Sequence, residues 1–217
     1  MDEFISIPWV VPTLIGFAIL GLLITFLMEQ GQFLAKYSGY AQNKVAIGYN
    51  RAMKMMVGGR VGAFLFAMSI SLVVESGYSA RGVSIVVLSG VACLVVCQLA
   101  SALVFRRQQK ENIKANAPSR RAWAFAGISA VAGIFNLLGF TVPFILAAEF
   151  PDYRLTLSNT SVMFNTIFTL LKVFVVENEL AKMIDKNSSQ MPIFTYMLLV
   201  SRVVGSACVF LTIWLSL

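Results

Sequence analysis

Charged and amide side chains interrupt a stretch of this sequence that is otherwise apolar enough to lie within a membrane. If residues 29–60 begin as a helix, four polar residues share one face, because their spacing is i, i+3, i+7 and i+11: Glu29, Gln32, Lys36 and Tyr40. Ionisable groups at membrane depth usually face the interior of a helix bundle or a water-filled cavity. The stripe therefore indicates an internal polar path; the alternative is a solvated cytoplasmic hairpin whose charges set the topology.

Two cations lie inside apolar runs in the last third of the chain. Lys172 either faces a central cavity or snorkels to the membrane interface, with Glu177 marking the predicted end of its helix. An arginine at the middle of a span, as Arg202 is, costs roughly 2.5–3.5 kcal/mol on insertion scales. It therefore needs an anion, either in a structural ion pair or in a bound ligand. The helix spacing predicts one face for Ser158, Ser161, Asn165 and Lys172, and leaves Thr166 and Thr169 off it.

No part of the sequence assembles a catalytic or metal-binding set. The chain has no histidine, which removes His-based triads and metal sites. Cys93, Cys97 and Cys208 form no CxxC pattern and are predicted to be small buried apolar residues. We therefore expect no enzymatic activity and no metal site. Guanidinium groups bind phosphate bidentately and are weakly hydrated, so these residue types favour a path for a lipid with an anionic headgroup.

The elements that must position these side chains are membrane-spanning helices. Of the 217 residues, 58% are hydrophobic and 12% are charged, where a soluble domain has about 25% charged residues. We predict an all-α integral membrane protein, a polytopic bundle of about six transmembrane helices in a single domain over residues 1–217. Apolar runs near the required length of about 20 residues place the spans at 8–28, 46–74, 83–105, 123–148, 159–176 and 192–217.

Positive charge is concentrated in two segments between these spans. Residues 29–60 carry a net charge of +4 and residues 106–122 carry +5, while the rest of the chain sums to −2. Because Lys and Arg are enriched in cytoplasmic loops, both segments are predicted to lie inside and both termini outside. Such clusters favour contact with anionic membrane lipids and do not indicate nucleic-acid binding.

Short motifs stand out in the last third of the chain: residues 151–158 read PDYRLTLS, and residues 164–169 read FNTIFT. They are similar to the PEYR…LS element and to the ING-ATI helix of the Amj family of lipid II flippases. The acid Glu177 with residues 180–185 resembles its VDP…L…TD turn. Residues 201–205 (SRVVG) resemble its closing GSR-LG motif.

The first third of the chain matches the same family more loosely. Residues 29–36 resemble the IET-AY-VR helix and residues 50–60 the FN…SR helix, and all matches together cover about half of the chain, in the family's order. The chain lacks the glycine after Asn165 and the proline after Glu177, and residues 75–148 match in hydropathy alone. A divergent relative with another lipid cargo is the alternative.

The resemblance implies a multi-pass protein of the bacterial plasma (inner) membrane. Its substrate would be the undecaprenyl-diphosphate-linked cell-wall precursor, moved from the inner to the outer leaflet without chemistry and without a cofactor. The motifs point to six positions in this sequence, and two lysines join them as expected substrate-binding residues: Glu29, Asn50, Arg60, Arg154, Asn165 and Arg202, with Lys54 and Lys172.

We expect these residues to divide the headgroup among them. Arg60 and Arg202 would hold the diphosphate, helped by Lys54 or Lys172. The amides of Asn50 and Asn165 would bond phosphate or sugar oxygens, and Glu29 would neutralise an arginine between loads. Arg154 would receive the headgroup at the outer edge or fix a turn there.

Three other functions stay open at this point. The chain could transport another amphiphile, such as a free polyprenyl phosphate, or it could be a non-transporting structural subunit that uses its charges for helix assembly. A membrane enzyme such as a polyprenyl-diphosphate phosphatase is the third, and the missing histidines argue against it. The oligomeric state cannot be inferred from the sequence.

Overall fold

The computed structural model of the chain describes residues 9–114, 118–186 and 188–217, without the side chains of Lys114, Leu155, Ser158 and Asn159. The described residues form helices and no strand, and six helices among them are long and apolar enough to cross a membrane. The prediction of an all-α, multi-pass membrane protein is therefore confirmed. The predicted start of the first span, residue 8, lies outside the described residues, and the sidedness of the termini stays a prediction.

The helices extend beyond most of the predicted spans. A 3-10 turn at Pro151–Tyr153 precedes the fifth crossing, which continues through a π-helical segment, Leu171–Glu177, into a last amphipathic stretch. We number the α-helices in chain order: α1 Val10–Ala41, α2 Val45–Glu75, α3 Ala80–Gln108, α4 Lys110–Lys114, α5 Arg120–Glu149, α6 Arg154–Leu170, α7 Asn178–Asp185 and α8 Met191–Leu215.

The polar stripe of residues 29–40 belongs to α1 and not to a solvated hairpin. The connection to α2 is only residues 42–44, where Asn43 adopts a φ of 53°, a left-handed conformation that asparagine tolerates well. Glu29, Gln32 and Lys36 are buried inside the bundle. The stripe is therefore internal, as predicted, and the alternative of a solvated hairpin is wrong for these three residues; a path along the stripe stays a prediction.

Glycines bring α1 and α2 into backbone contact along their length. A Cβ atom on Gly21 would lie 2.5 Å from the Phe66 backbone nitrogen, and one on Gly39 would lie 2.6 Å from the Gly48 Cα. Gly62 of α2 packs against the Thr25 backbone nitrogen, which a Cβ atom on Gly62 would meet at 2.7 Å. We call this contact the glycine seam. Small residues at such positions let membrane helices approach closely and gain dispersion contacts.

Two apolar cores lie at opposite ends of the bundle. The first includes Leu22 and Phe26 of α1 with Phe66 and Ile70 of α2. The second lies at the end where α7 and the N-terminus of α8 are found, which we call the basic end because the predicted inner segments lie there. The second core includes Phe33, Tyr37, Phe105, Ala126, Leu180 and Leu198.

A layer of buried polar side chains separates these cores. On α1, Phe26 belongs to the first core and Phe33 to the second, and Glu29 and Gln30 lie between them. On α8, Arg202 occupies the same intermediate level, between Leu198 and Val209. We call this the polar layer; its further members include Gln32, Gln98, Asn136 and Ser206.

Two sequence predictions about the spans are wrong. Glu177 does not end the fifth crossing, because Lys36 neutralises its carboxylate inside the bundle and the helix continues to Asp185. Cys93, Cys97 and Cys208 are exposed rather than buried. In a membrane protein the outer surface of the bundle faces lipid, so a small apolar side chain is stable there without being buried by protein.

Candidate functional site

The carboxylate of Glu29 is the point at which four helical elements meet. Its Oε1 atom lies 2.8 Å from Nη2 of Arg202 on α8 and 3.7 Å from Nζ of Lys172 in the π-helical segment. Its Oε2 atom accepts a 2.8 Å hydrogen bond from Nδ2 of Asn136 on α5. The Glu29 side chain is 8% exposed. Burying a carboxylate this deeply requires charged and hydrogen-bonding partners. Arg202 and Lys172 supply the charge, and Asn136 supplies the hydrogen bond.

Arg202 is the most deeply buried cation of the polar layer, with a side chain that is 4% exposed. Its guanidinium stacks on two aromatic rings, 5.6 Å from the centroid of Phe33 and 5.5 Å from that of Phe168, which is a favourable cation–π geometry. Within the described chain, none of its three nitrogens makes an aligned hydrogen bond, although Glu29 neutralises it. Its N–H donors therefore suit an additional oxyanion acceptor.

A second ion pair closes the site toward the basic end. Lys36 of α1 donates a hydrogen bond to Oε2 of Glu177, and its ammonium lies 5.2 Å from the ring centroid of Tyr49. Lys172 donates a 3.0 Å hydrogen bond to Oε1 of Gln32, and its side chain is 14% exposed. Lys172 thus points into the bundle instead of snorkelling.

The π-helical winding of residues 171–177 is what turns both Lys172 and Glu177 toward α1. In an α-helix of 3.6 residues per turn, residues five apart point about 140° away from each other. In a π-helix the hydrogen bond joins residues i and i+5, so residues five apart lie on nearly the same side. Such segments are frequent at functional sites, and this one brings a cation and a carboxylate into one cavity.

These residues line a cavity of about 360 Å³ between α1, α2, α5 and the wall formed by α6 and the π-helical segment. The apolar part of its lining includes Met53, Met56, Phe140 and Phe168. Two carboxylates face four cations when Arg202, directly behind Glu29, is included, which leaves a net charge of +2. The charged and amide residues of the lining are Glu29, Gln32, Lys36, Arg60, Asn136, Asn165, Lys172 and Glu177.

Arg60 differs from the other cations of the cavity. It is exposed, and among the described residues it forms no ion pair, whereas Lys36, Lys172 and Arg202 each have a carboxylate partner. Arg60 therefore supplies the positive charge at the cavity that no carboxylate of the described residues neutralises.

The structure brings five of the eight predicted binding residues to one place. Glu29, Arg60, Asn165 and Lys172 line the cavity, and Arg202 reaches it through Glu29. Thr169 also lines it, contrary to the prediction, because it lies one turn from Asn165.

The other three predicted residues lie elsewhere. Asn50 and Lys54 are exposed on α2 and do not line the cavity. The Nε of Arg154 donates a 3.3 Å hydrogen bond to the carbonyl oxygen of Ala147, so this side chain fixes the turn between α5 and α6. The side chain of Ser158 lies outside the described part of the chain.

Sequence reasoning missed two contributions to the site. It did not assign Asn136 to the site, although this amide bridges α5 and α1 through its hydrogen bond to Glu29. The pairing of Lys36 with Glu177 and the π-helical winding behind it were also missed, since no local pattern distinguishes them from an α-helix that ends at an acid.

Comparison with protein-family models, curated proteins and solved structures finds no match to this chain. The resemblance to the Amj family therefore stays a prediction from its motifs.

Proposed function

We propose that the chain is a flippase for a lipid with a phosphate-containing headgroup. The cargo implied by the motif resemblance is lipid II, the undecaprenyl-diphosphate-linked cell-wall precursor. The observation that carries the proposal is the excess of positive charge in a cavity at membrane depth, where Arg60 has no carboxylate partner in the described chain. A cation in that position is costly unless an anion accompanies it for part of the time.

The arrangement supports a counter-ion exchange as the mode of binding. An entering phosphate would pair first with Arg60 at the exposed edge of the cavity and then with Lys172 and Asn165 farther inside. Glu29 holds Arg202 and Lys172 while the cavity is empty of cargo, and it would release part of this charge to the phosphate. Arg202 does not line the cavity, so the phosphate would reach its N–H donors only as its ion pair with Glu29 opens, and those donors would then offset the weakened pair.

The lipid tail would remain outside the cavity during this exchange. Val57 on α2 and Phe174 in the π-helical segment, on either side of the lining, are 60% and 69% exposed and face the lipid side of the bundle. A headgroup could therefore enter between α2 and the π-helical segment while its hydrocarbon stays in the bilayer. Sideways entry of this kind needs no water-filled channel through the whole protein.

The size of the cavity gives a second candidate, transport of a free polyprenyl phosphate. At about 360 Å³ the cavity is at the lower end of ligand pockets, which have volumes of about 300–1,000 Å³. It accommodates phosphate groups more readily than a disaccharide with its peptide. Lipid II would have to keep much of its headgroup outside the cavity, or the cavity would have to open.

A purely structural role accounts for less of what is observed. Such a role predicts tight packing with each arginine paired to a glutamate and no cavity. The pair of Arg202 with Glu29 fits that description. The cavity and the lack of a carboxylate partner for Arg60 within the described chain do not, and they favour transport.

The direct test is lipid translocation by the purified protein in proteoliposomes, measured separately with lipid II and with undecaprenyl phosphate. Removing one charge-assisted hydrogen bond costs about 1.5–3 kcal/mol, so Arg60→Gln should slow transport about 10- to 150-fold. The matched control is Lys54→Gln, an exposed cation on the same helix that does not line the cavity, and its rate should stay within twofold of the parent.

The outcomes separate the cargo from the site. A parent protein that moves neither lipid would overturn transport and leave the structural role. If only undecaprenyl phosphate moves, it is the cargo and lipid II is not. Equal transport rates for Arg60→Gln and Lys54→Gln would show that Arg60 does not bind the headgroup. In cells depleted of their lipid II flippase, restored growth with the parent and lost growth with Arg60→Gln are the expected results.

A further inference from the structure

A second pocket, separate from the cavity of the polar layer, lies at the basic end of the bundle. Its volume is about 340 Å³, and it is lined by the start of α5, by α7 and its C-cap Lys186, and by residues 188–190 before α8. None of its lining residues lines the first cavity. The polar residues of this lining are Ser119, Arg121, Glu179, Lys182, Lys186, Ser188, Ser189 and Gln190.

The pocket has a net charge of +2, because three cations face one carboxylate. The carboxylate of Glu179 is already saturated: it lies 2.6 Å from Nη2 of Arg121 and 3.2 Å from Nζ of Lys182, and its side chain is 8% exposed. Lys186 is exposed and forms no ion pair within the described ranges. The carboxylate thus positions two of the cations and leaves the third for a ligand.

The backbone adds to this positive field. Helices α5 and α8 both begin at the pocket, with Ser119 and Gln190 as their N-terminal caps. Helix N-termini carry partial positive charge and favour phosphate groups. The hydroxyls of Ser119, Ser188 and Ser189 are additional donors of the kind that phosphate oxygens accept.

The floor of the pocket is apolar. Phe125 and Phe194 pack against each other with ring centroids 6.3 Å apart, and the guanidinium of Arg121 lies 5.8 Å from the Phe125 centroid. Trp123, two residues before Phe125, is 64% exposed, and tryptophan at the end of a membrane helix marks the headgroup level. The pocket therefore combines phosphate-binding groups with an apolar base at the depth where lipid headgroups lie.

We infer that this pocket binds a phosphate group, carried either by an anionic lipid headgroup or by a soluble phosphate. The inference does not depend on the proposed transport function, because no residue of the two sites is shared. The ligand would bridge α5, α7 and α8 through Arg121, Lys182 and Lys186. Since α7 continues the π-helical segment, it would also hold the end of the helix that carries Lys172.

The test measures the binding of three probes to the purified full-length protein in a zwitterionic detergent at fixed ionic strength. Binding is detected by thermal shift and by native mass spectrometry. The probes are dioctanoyl phosphatidic acid, inorganic phosphate and dioctanoyl phosphatidylcholine. We expect Lys186→Gln to weaken binding of the phosphatidic acid about tenfold, which corresponds to 1.4 kcal/mol. Lys186 is exposed and unpaired in the described chain, so this variant should fold as the parent does.

Lys44→Gln is the control for general electrostatic attraction, since Lys44 is exposed near the same end of the bundle and lines neither site. Arg60→Gln is the control for the first cavity, and both controls should bind as the parent does. The inference would be overturned if the parent bound neither phosphatidic acid nor inorganic phosphate. Equal weakening of binding by Lys186→Gln and Lys44→Gln would also overturn it. Tighter binding of phosphatidic acid than of inorganic phosphate identifies a lipid headgroup, and the reverse identifies a soluble phosphate.

Discussion

Helix α1 is attached in different ways to two of the elements that line the cavity, α2 and the wall formed by α6 and the π-helical segment. Toward α2 it is held by shape, because Gly21, Gly39 and Gly62 bring backbone against backbone along the glycine seam. Toward the wall of α6 and the π-helical segment it is held by charge, through Glu29 with Lys172 and through Lys36 with Glu177. The first attachment tolerates no separation, whereas the second can be exchanged for contacts with a ligand.

The difference indicates which part of the bundle can move. In the 18-residue apolar stretch of the fifth crossing, only 6% of the residues are buried inside the protein. In the corresponding stretches of the other five crossings, 33–44% of the residues are buried. The fifth crossing packs its backbone mainly against α5, where a Cβ on Gly139 would meet Phe164 Cβ at 2.7 Å. We therefore expect α1 and α2 to form a rigid frame and the fifth crossing to be the mobile wall of the cavity.

The largest loss of stability should follow from removing Glu29, the carboxylate through which α1 pairs with Lys172 and Arg202. Breaking a buried ion pair from one side leaves an uncompensated charge and costs about 3–5 kcal/mol. We expect a loss of this size in the free energy of unfolding for Glu29→Ala, measured by SDS titration in mixed micelles. The control is Glu75→Ala, an exposed glutamate without an ion pair in the described chain. Equal losses for the two variants would show that charge does not hold this side.

The next largest loss of stability should follow from disturbing the glycine seam between α1 and α2. Gly21→Ala places a Cβ atom 2.5–2.9 Å from backbone atoms of α2, which cannot yield as a side chain can. Overpacking of this kind costs about 1–3 kcal/mol, and the same SDS titration measures it. Gly16→Ala is the matched control, because its Cβ would meet nothing within 4 Å. If Gly21→Ala were as stable as Gly16→Ala, α1 and α2 would not form a rigid frame.

A smaller effect should appear as coupling between Lys36 and Glu177. In a double-mutant cycle with Lys36→Met and Glu177→Gln, we expect a coupling energy of about 1–2 kcal/mol, within the range for residues in contact. The pair is partly buried, with side chains 7% and 21% exposed, so the coupling should exceed that of a surface pair. Additive losses would mean that this pair does not hold the mobile wall.

The smallest effect on stability is expected at Arg60. Its side chain lies at the open edge of the cavity and forms no ion pair within the described residues, so Arg60→Gln leaves no carboxylate without a partner, and we expect the free energy of unfolding to change by less than about 0.5 kcal/mol. Arg60→Gln should therefore unfold in SDS as the parent does while losing transport. A large loss of stability would indicate that Arg60 is part of the frame and has a structural role.

The sequence predicts the helices better than it predicts their contacts. Hydropathy locates all six crossings, and helical spacing places Glu29, Gln32 and Lys36 on the cavity side of α1. Periodicity cannot choose among the available carboxylates for Arg202, because that choice depends on how α1 and α8 pack. Asn50 and Lys54 show the same limit: their residue types suit phosphate, but the glycine seam fixes a rotation of α2 that leaves them away from the cavity.

The π-helical segment stores spare length in the wall of the cavity. Rewinding it as an α-helix would stretch the fifth crossing and swing Glu177 away from Lys36, so the winding and that ion pair should be gained or lost together. A ligand phosphate that attracted Lys36 would then free Glu177 and allow the π-helical segment to rewind as an α-helix. An electrostatic event at one side chain would in this way become a change in the reach of a whole helix.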